Sequence, residues 1–154
     1  MTKLLLLLLA LVSAQPALAD TLLLKPARVF DGIKPQPHEN WSVLVEGDRI
    51  IAAGPSIAAP DGARIVDLPG MTLMPGMIEG HSHLFLHPYD ETLWDDQVLH
   101  EALALRTARA VVHAERTLEA GFTTERDLGT EGASFADVGL KQAIDQGIVS
   151  GPRL

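Results

Sequence analysis

The sequence predicts an α/β protein in which a small all-β module precedes the opening units of a parallel sheet. Three observations carry that prediction. Residues 20–74 hold only short apolar and β-branched runs separated by turn residues. From Pro75 onward strand-like and helix-like stretches alternate, the grammar of β/α units. Near the far end of the first strand of that second half, His81 and His83 stand one residue apart.

The elements follow in order. Met1-Thr2-Lys3 and the apolar run Leu4 to Val12 lead to Ala17-Leu18-Ala19, a small-x-small cleavage pattern. Residues 1–19 therefore read as a signal peptide cleaved after Ala19, and the mature chain as exported, periplasmic or secreted. The run is far shorter than the ~20 residues of a spanning helix, so no membrane association is expected after cleavage. Thr21 to Phe30 reads as a strand closed by Asp31-Gly32, and Lys34 to Asn40, with two prolines, as loop. His38 in that loop is expected to be solvated. Trp41 to Val45 and Arg49 to Ala53 form a hairpin about Glu46-Gly47-Asp48. Gly54 to Gly62 is a connection, and Ala63 to Leu68 and Met71 to Leu73 are short strands.

The second half, 75–154, opens with a buried strand from Met77 to His83 and a loop from Leu84 to Glu91. A single helix is predicted over Trp94 to Glu119, its apolar face made by Val98, Leu99, Ala102, Leu103, Leu105, Ala110, Val111, Ala114 and Leu118. Gly121 ends it. His100 and His113 on this helix are expected to be surface or packing residues. Phe122 to Leu128 is the next strand and Gly129 to Gly132 a loop. Ser134 is placed as the cap of a helix running to Gln146, with Asp137 as its capping-box acid. Ser150 to Leu154 looks like the start of a further strand. Two β/α units cannot close a barrel, which takes eight and typically about 250 residues. The chain is thus expected to be the N-terminal portion of a longer enzyme.

Composition narrows the chemistry. Among 154 residues the net charge is −8, which disfavours nucleic acid and anionic membrane surfaces as partners. Cysteine is absent, so disulfides and thiolate metal sites are excluded and any metal must be held by histidine and carboxylates. On a strand, side chains at i and i+2 share a face, which sets the imidazoles of His81 and His83 side by side. Imidazole is the commonest protein ligand for zinc and its neighbours. A bare His-x-His is a weak pattern. Its placement at the end of an apolar strand, ahead of a helix, is how a barrel delivers ligands to its catalytic mouth.

The run Leu73-Met74-Pro75-Gly76-Met77-Ile78-Glu79-Gly80-His81-Ser82-His83-Leu84, preceded by a small β module, resembles the start of the amidohydrolase superfamily of metal-dependent hydrolases. Gly121-Phe122-Thr123-Thr124-Glu125-Arg126-Asp127-Leu128-Gly129 resembles the second barrel strand of its imidazolonepropionase-like and Xaa-Pro dipeptidase branch. The resemblance covers Asp20 to Leu154 and implies the N-terminal fragment of a (β/α)8 TIM-type barrel behind a β module, 20–74. It implies that His81 and His83 are metal ligands, with one or two divalent ions, zinc foremost, in the full-length enzyme. The family's remaining ligands and its general-base aspartate lie on later strands, so no catalytic residue is assigned within this sequence. Glu79 stands where the family often has an aspartate, and a role behind a ligand or as a plain strand-end polar residue is open to it. Glu125 stands where the branch usually has an apolar residue, so Arg126, a helix residue or a position at the rim must compensate its charge. Arg126 and Asp127 read either as support for site or substrate, or as a structural ion pair holding the loop. His87 and Tyr89 are substrate contacts by position.

The activity implied is hydrolysis of C–N bonds by metal-activated water, on a small-molecule, dipeptide or cyclic amide substrate, with homo-oligomerisation open. This fragment alone is expected to be inactive. A deaminase of the same fold is the rival within enzymes. A non-catalytic truncated secreted product is the rival outside them, and two histidines alone would bind zinc weakly, because stable sites use three or four protein ligands.

Overall fold

The computed structural model describes residues 20–154; the signal peptide read over residues 1–19 lies outside them. The chain divides into two compact units, Met1–Met74 and Pro75–Leu154.

The first unit is a sheet of strands β1 (Thr21–Val29), β2 (His38–Glu39), β3 (Trp41–Glu46), β4 (Arg49–Pro55) and β5 (Arg64–Leu73). Four run in the order β2-β1-β3-β4, and β5 pairs with β1 in parallel. The antiparallel register Leu22↔Val45 and Leu24↔Val43 brings Leu23, Val29, Val43 and Leu44 into the core. The two short strands expected over 63–73 are one strand, because its register slips opposite Pro26–Arg28 instead of breaking. Proline supplies no N–H, and such an irregularity is where a sheet accommodates it. The Lys34–Asn40 loop contains β2, with Arg28 opposite Glu39. His38 is not solvated: Nε2 lies 2.8 Å from Asp31 Oδ2 and the ring stacks on Trp41 with centroids 3.7 Å apart. Asp31 Oδ1 accepts the N–H groups of Ile33 and Lys34, which curls the loop back and delivers His38. These N–H groups, then His38, hold the Asp31 carboxyl well below the usual carboxylate range.

The second unit comprises β6 (Met77–Ser82), a π-helical turn (Asp96–His100), α1 (Leu103–Glu119), β7 (Phe122–Asp127) and α2 (Ala136–Asp145). Strands β6 and β7 are parallel, with Glu79↔Glu125 and Ser82↔Asp127 in register, and Arg153 makes a parallel bridge to Thr124. The apolar core joins Leu84, Phe85, Ala110, Ala114, Ala133 and Leu140. Met77 and Ile78, expected to be buried, are 36% and 74% exposed. Among the described residues β6 has one neighbouring strand, and the core gathers under the loop after it.

The single helix expected over 94–119 is two pieces. Glu101 is extended (φ −77°, ψ 138°), and α1 starts only after Ala102. Arg109 grips the Glu101 carboxylate through two 2.7 Å bonds and fixes that break. The buried stripe of α1 is Arg106, Ala110 and Ala114, whereas Leu99, Leu103 and Leu105 are exposed. Ser134 does not cap α2: its φ of 53° turns the chain away, Phe135 takes the cap position, and Asp137 accepts the N–H of Val138. Among the described residues no helix is long and apolar enough to cross a membrane.

Candidate functional site

The C-terminal ends of β6 and β7 bring the sequence-predicted residues together. The rings of His81 and His83 lie edge to face with centroids 5.5 Å apart. Two imidazoles on one ion, with metal–nitrogen distances of about 2.1 Å and near-tetrahedral angles, set their centres about 5 Å apart. The observed ring separation is of that order. His83 Nδ1 is 2.9 Å from the Gly129 carbonyl oxygen. A carbonyl only accepts, so Nδ1 carries the proton and Nε2 keeps its lone pair for a ligand. Glu79 Oε1 accepts the backbone N–H of His81 at 2.9 Å, so it fixes the chain under one imidazole and not the ring itself. Among the described residues, no group of three or more histidine or carboxylate side chains could hold a metal ion.

The neighbouring acids Glu125 and Asp127 share a face of β7. Glu125 is 4% exposed; the Ser82 hydroxyl donates to its Oε1, and its Oε2 is without a hydrogen-bond partner. Burial pushes its pKa up, with the Asp127 and Glu79 carboxylates adding and the Ser82 bond opposing. The expected compensation by Arg126 does not occur, since alternation turns that side chain to the exposed face. No ion pair joins Arg126 to Asp127 among the described residues. Asp127 instead accepts the Gly129 N–H at 2.9 Å and the Leu84 N–H at 3.4 Å, tying the loop after β7 to that after β6. Burial raises its pKa too.

His87 and Tyr89 do reach an open groove of about 420 Å³, shared with His83, His113 and Arg116. His87 is engaged on both nitrogens, 3.7 Å from Glu91 and 3.6 Å from Glu101, while Tyr89 is exposed. His113, read as a packing residue, donates Nδ1–H to the Leu84 carbonyl and sits 6.4 Å from the His87 ring. His100 is an exposed partner of Asp96.

Two residues escaped the sequence reading. Gln97 is fully buried and accepts the His87 N–H at 2.6 Å while donating to the Thr92 carbonyl at 3.0 Å, which pins the loop carrying Tyr89. Arg106, 1% exposed, donates to the carbonyls of Phe85, Thr130 and Glu131. A signal existed: Arg106 lies four residues before Ala110 and eight before Ala114, on one helical stripe with two small residues.

No family model matches the chain. It is 33% identical over 130 residues to a 5-methylthioadenosine/S-adenosylhomocysteine deaminase of Symbiobacterium thermophilum, covering 73% of this chain and 30% of the relative. It is 36% identical over 88 residues to an imidazolonepropionase of Streptomyces coelicolor, covering 53% of this chain and 22% of the relative. Among solved structures, an amidohydrolase superposes with a TM-score of 0.71 at 30% identity over 87% of this chain and 30% of its own. A prolidase complexed with N-methylphosphonate-L-proline superposes with a TM-score of 0.72 at 28% identity, over 86% and 30%. The chain thus spans less than a third of the length of each of these four proteins. With the paired imidazoles at the end of β6, these likenesses converge: the chain belongs to the amidohydrolase superfamily, its partial coverage fitting an N-terminal portion.

Proposed function

We propose that this chain is the N-terminal part of an exported, metal-dependent hydrolase of C–N bonds, acting on dipeptides or cyclic amides. Residues 75–154 are the first two β/α units of its barrel, and His81 and His83 hold its divalent cation, zinc foremost. The observation that carries this reading is the Nδ1–H bond from His83 to Gly129, which frees Nε2 beside the His81 ring. A divalent cation held there supplies Lewis acidity, polarising a substrate carbonyl and acidifying a water.

The chain's own residues orient this chemistry. Glu79 and Gly129 fix the backbone and ring of the two ligands, and Asp127 ties the loops on which they depend. The general base is assigned to none of these residues, so the chain alone is proposed to be inactive. Export rests on the leader pattern of residues 1–19. The prolidase likeness favours peptide substrates, and the deaminase relative favours, as a second reading, loss of ammonia from a ring.

The test begins with zinc titration of the 154-residue chain and its His83→Ala variant by calorimetry. Affinity is expected to fall at least tenfold on losing one of two ligands; equal affinity overturns the ligand assignment. With its downstream coding sequence restored, the protein is expected to release amino acids from dipeptides. Release of ammonia without amino acids would favour the deaminase reading.

A further inference from the structure

We propose that Arg106 is a positioning residue for the metal ligand His83, acting through the loop whose Gly129 carbonyl fixes the His83 tautomer. This rests on the reading of His83 as a ligand.

The Arg106 guanidinium sits between the two loops that leave β6 and β7. Its Nε donates to the Phe85 carbonyl at 3.2 Å, and its terminal nitrogens donate to the Thr130 carbonyl at 2.5 Å and the Glu131 carbonyl at 3.1 Å. Phe85 lies two residues beyond His83; Thr130 and Glu131 follow directly on Gly129. One planar cation thus joins the segment bearing the imidazole to the segment bearing its acceptor. Asp127 performs the opposite half, accepting N–H groups from Leu84 and Gly129 of the same two loops.

The loop lies against this cation. Gly132 has φ +96°, which favours glycine, and a Cβ there would crowd Val98 at 3.0 Å while meeting the guanidinium in ordinary contact at 3.5 Å. A lysine cannot substitute: an ammonium is a point donor, whereas these carbonyls lie at different nitrogens of a fixed fork. The Glu131 carboxylate lies 3.6 Å from the same Nδ1, held by the Trp94 indole N–H, and belongs to the same loop as Gly129. Release of the loop carbonyls from Arg106 frees both acceptors to leave Nδ1, and with them the preference for the Nδ1–H form. Groups that hold the far nitrogen of a metal-binding imidazole commonly affect metal affinity 10–100-fold.

The experiment reads the tautomer without metal. Long-range proton–nitrogen correlation spectra of the metal-free 154-residue chain, in mildly alkaline buffer, are expected to show His83 as the Nδ1–H form. In Arg106→Lys the Nδ1–H population is expected to fall, with His38 unchanged, and the zinc dissociation constant to rise about tenfold. A wild-type His83 carrying its proton on Nε2 overturns the proposal without any variant. An Arg106→Lys chain that keeps the Nδ1–H form overturns it too. Loss of the folded amide spectrum in that variant does the same, because it assigns Arg106 to folding and not to positioning. Failure of the ligand reading is separate: equal zinc affinity in His83→Ala would sink that reading while leaving the tautomer result intact.

Discussion

Residues 20–74 bury mainly aliphatic side chains, Leu23, Val29, Val43 and Leu44, with Ser42 the exception. Residues 75–154 bury Gln97, Arg106, Glu125 and Thr130 among their apolar groups. The two units solve different problems. The first needs only a register, and paired strands with a packed face supply one. The second must hold two loops at fixed positions beside a pair of imidazoles. Aliphatic packing is non-directional, so the loops are held by directional bonds to backbone carbonyls and N–H groups. Buried polar groups are tolerated where satisfied, and the one orphaned side-chain atom among the described residues, Glu125 Oε2, adjoins the candidate site.

Three substitutions sharpen or break this contrast. Leu23→Ala in the first unit is expected to cost most, about 2–5 kcal/mol, by leaving a cavity in a core with few members. Amide exchange read in β1 and β3 checks it, and a loss under 1 kcal/mol would deny that aliphatic packing carries this unit. Gln97→Leu in the second is expected to cost about 1–3 kcal/mol, since a buried N–H and carbonyl lose their partners while the apolar volume is kept. Faster exchange at His87 is the local readout; an unchanged rate would show that the loop holds itself.

Glu125→Gln is expected to have the opposite sign. The folded pKa of Glu125 is raised by burial first, so its carboxyl binds a proton more tightly in the folded state than in the unfolded one. Stability is therefore fully present below the ordinary glutamate range and declines as pH rises through the folded value. Glutamine lacks that decline and is expected to be more stable at neutral pH, the gain vanishing in acid. Denaturant midpoints across that range test it. Asp127 and Glu79 face the same carboxyl and stay in place in both chains, so the difference isolates Glu125.

Much of this was legible before any coordinates. Strand edges could be read because apolar, β-branched runs end at Gly47 and the Asp31-Gly32 turn and begin after Gly121, where backbone and side-chain preferences agree. The break at Glu101 could not, because Leu99, Leu103 and Leu105 continue a helical spacing that the fold leaves exposed. Periodicity records that a face exists, and tertiary bonds such as Arg109 to Glu101 decide its phase. His38 was misread for a similar reason: its partners, Asp31 and Trp41, are brought to it by a loop whose curl no period encodes. At the site, the proximity of the His81 and His83 rings was anticipated from i, i+2 alternation at a strand end, and their reading as ligands came from the family resemblance. Their supports were not anticipated, since Gly129 reaches His83 across 46 residues of chain.

Gly76 carries one further consequence. A methyl group at its Cα would run into the side chain of Thr123, which lies on β7 where the Arg153 N–H grips the Thr123 carbonyl at 2.9 Å. The strand cannot step aside without releasing that bond, so only hydrogen fits. Anyone grafting a different leading module onto this half must therefore cut upstream of Pro75 and leave Pro75-Gly76 with the recipient. A splice one or two residues later would carry the clash into the threshold of β6, seven residues before the second imidazole.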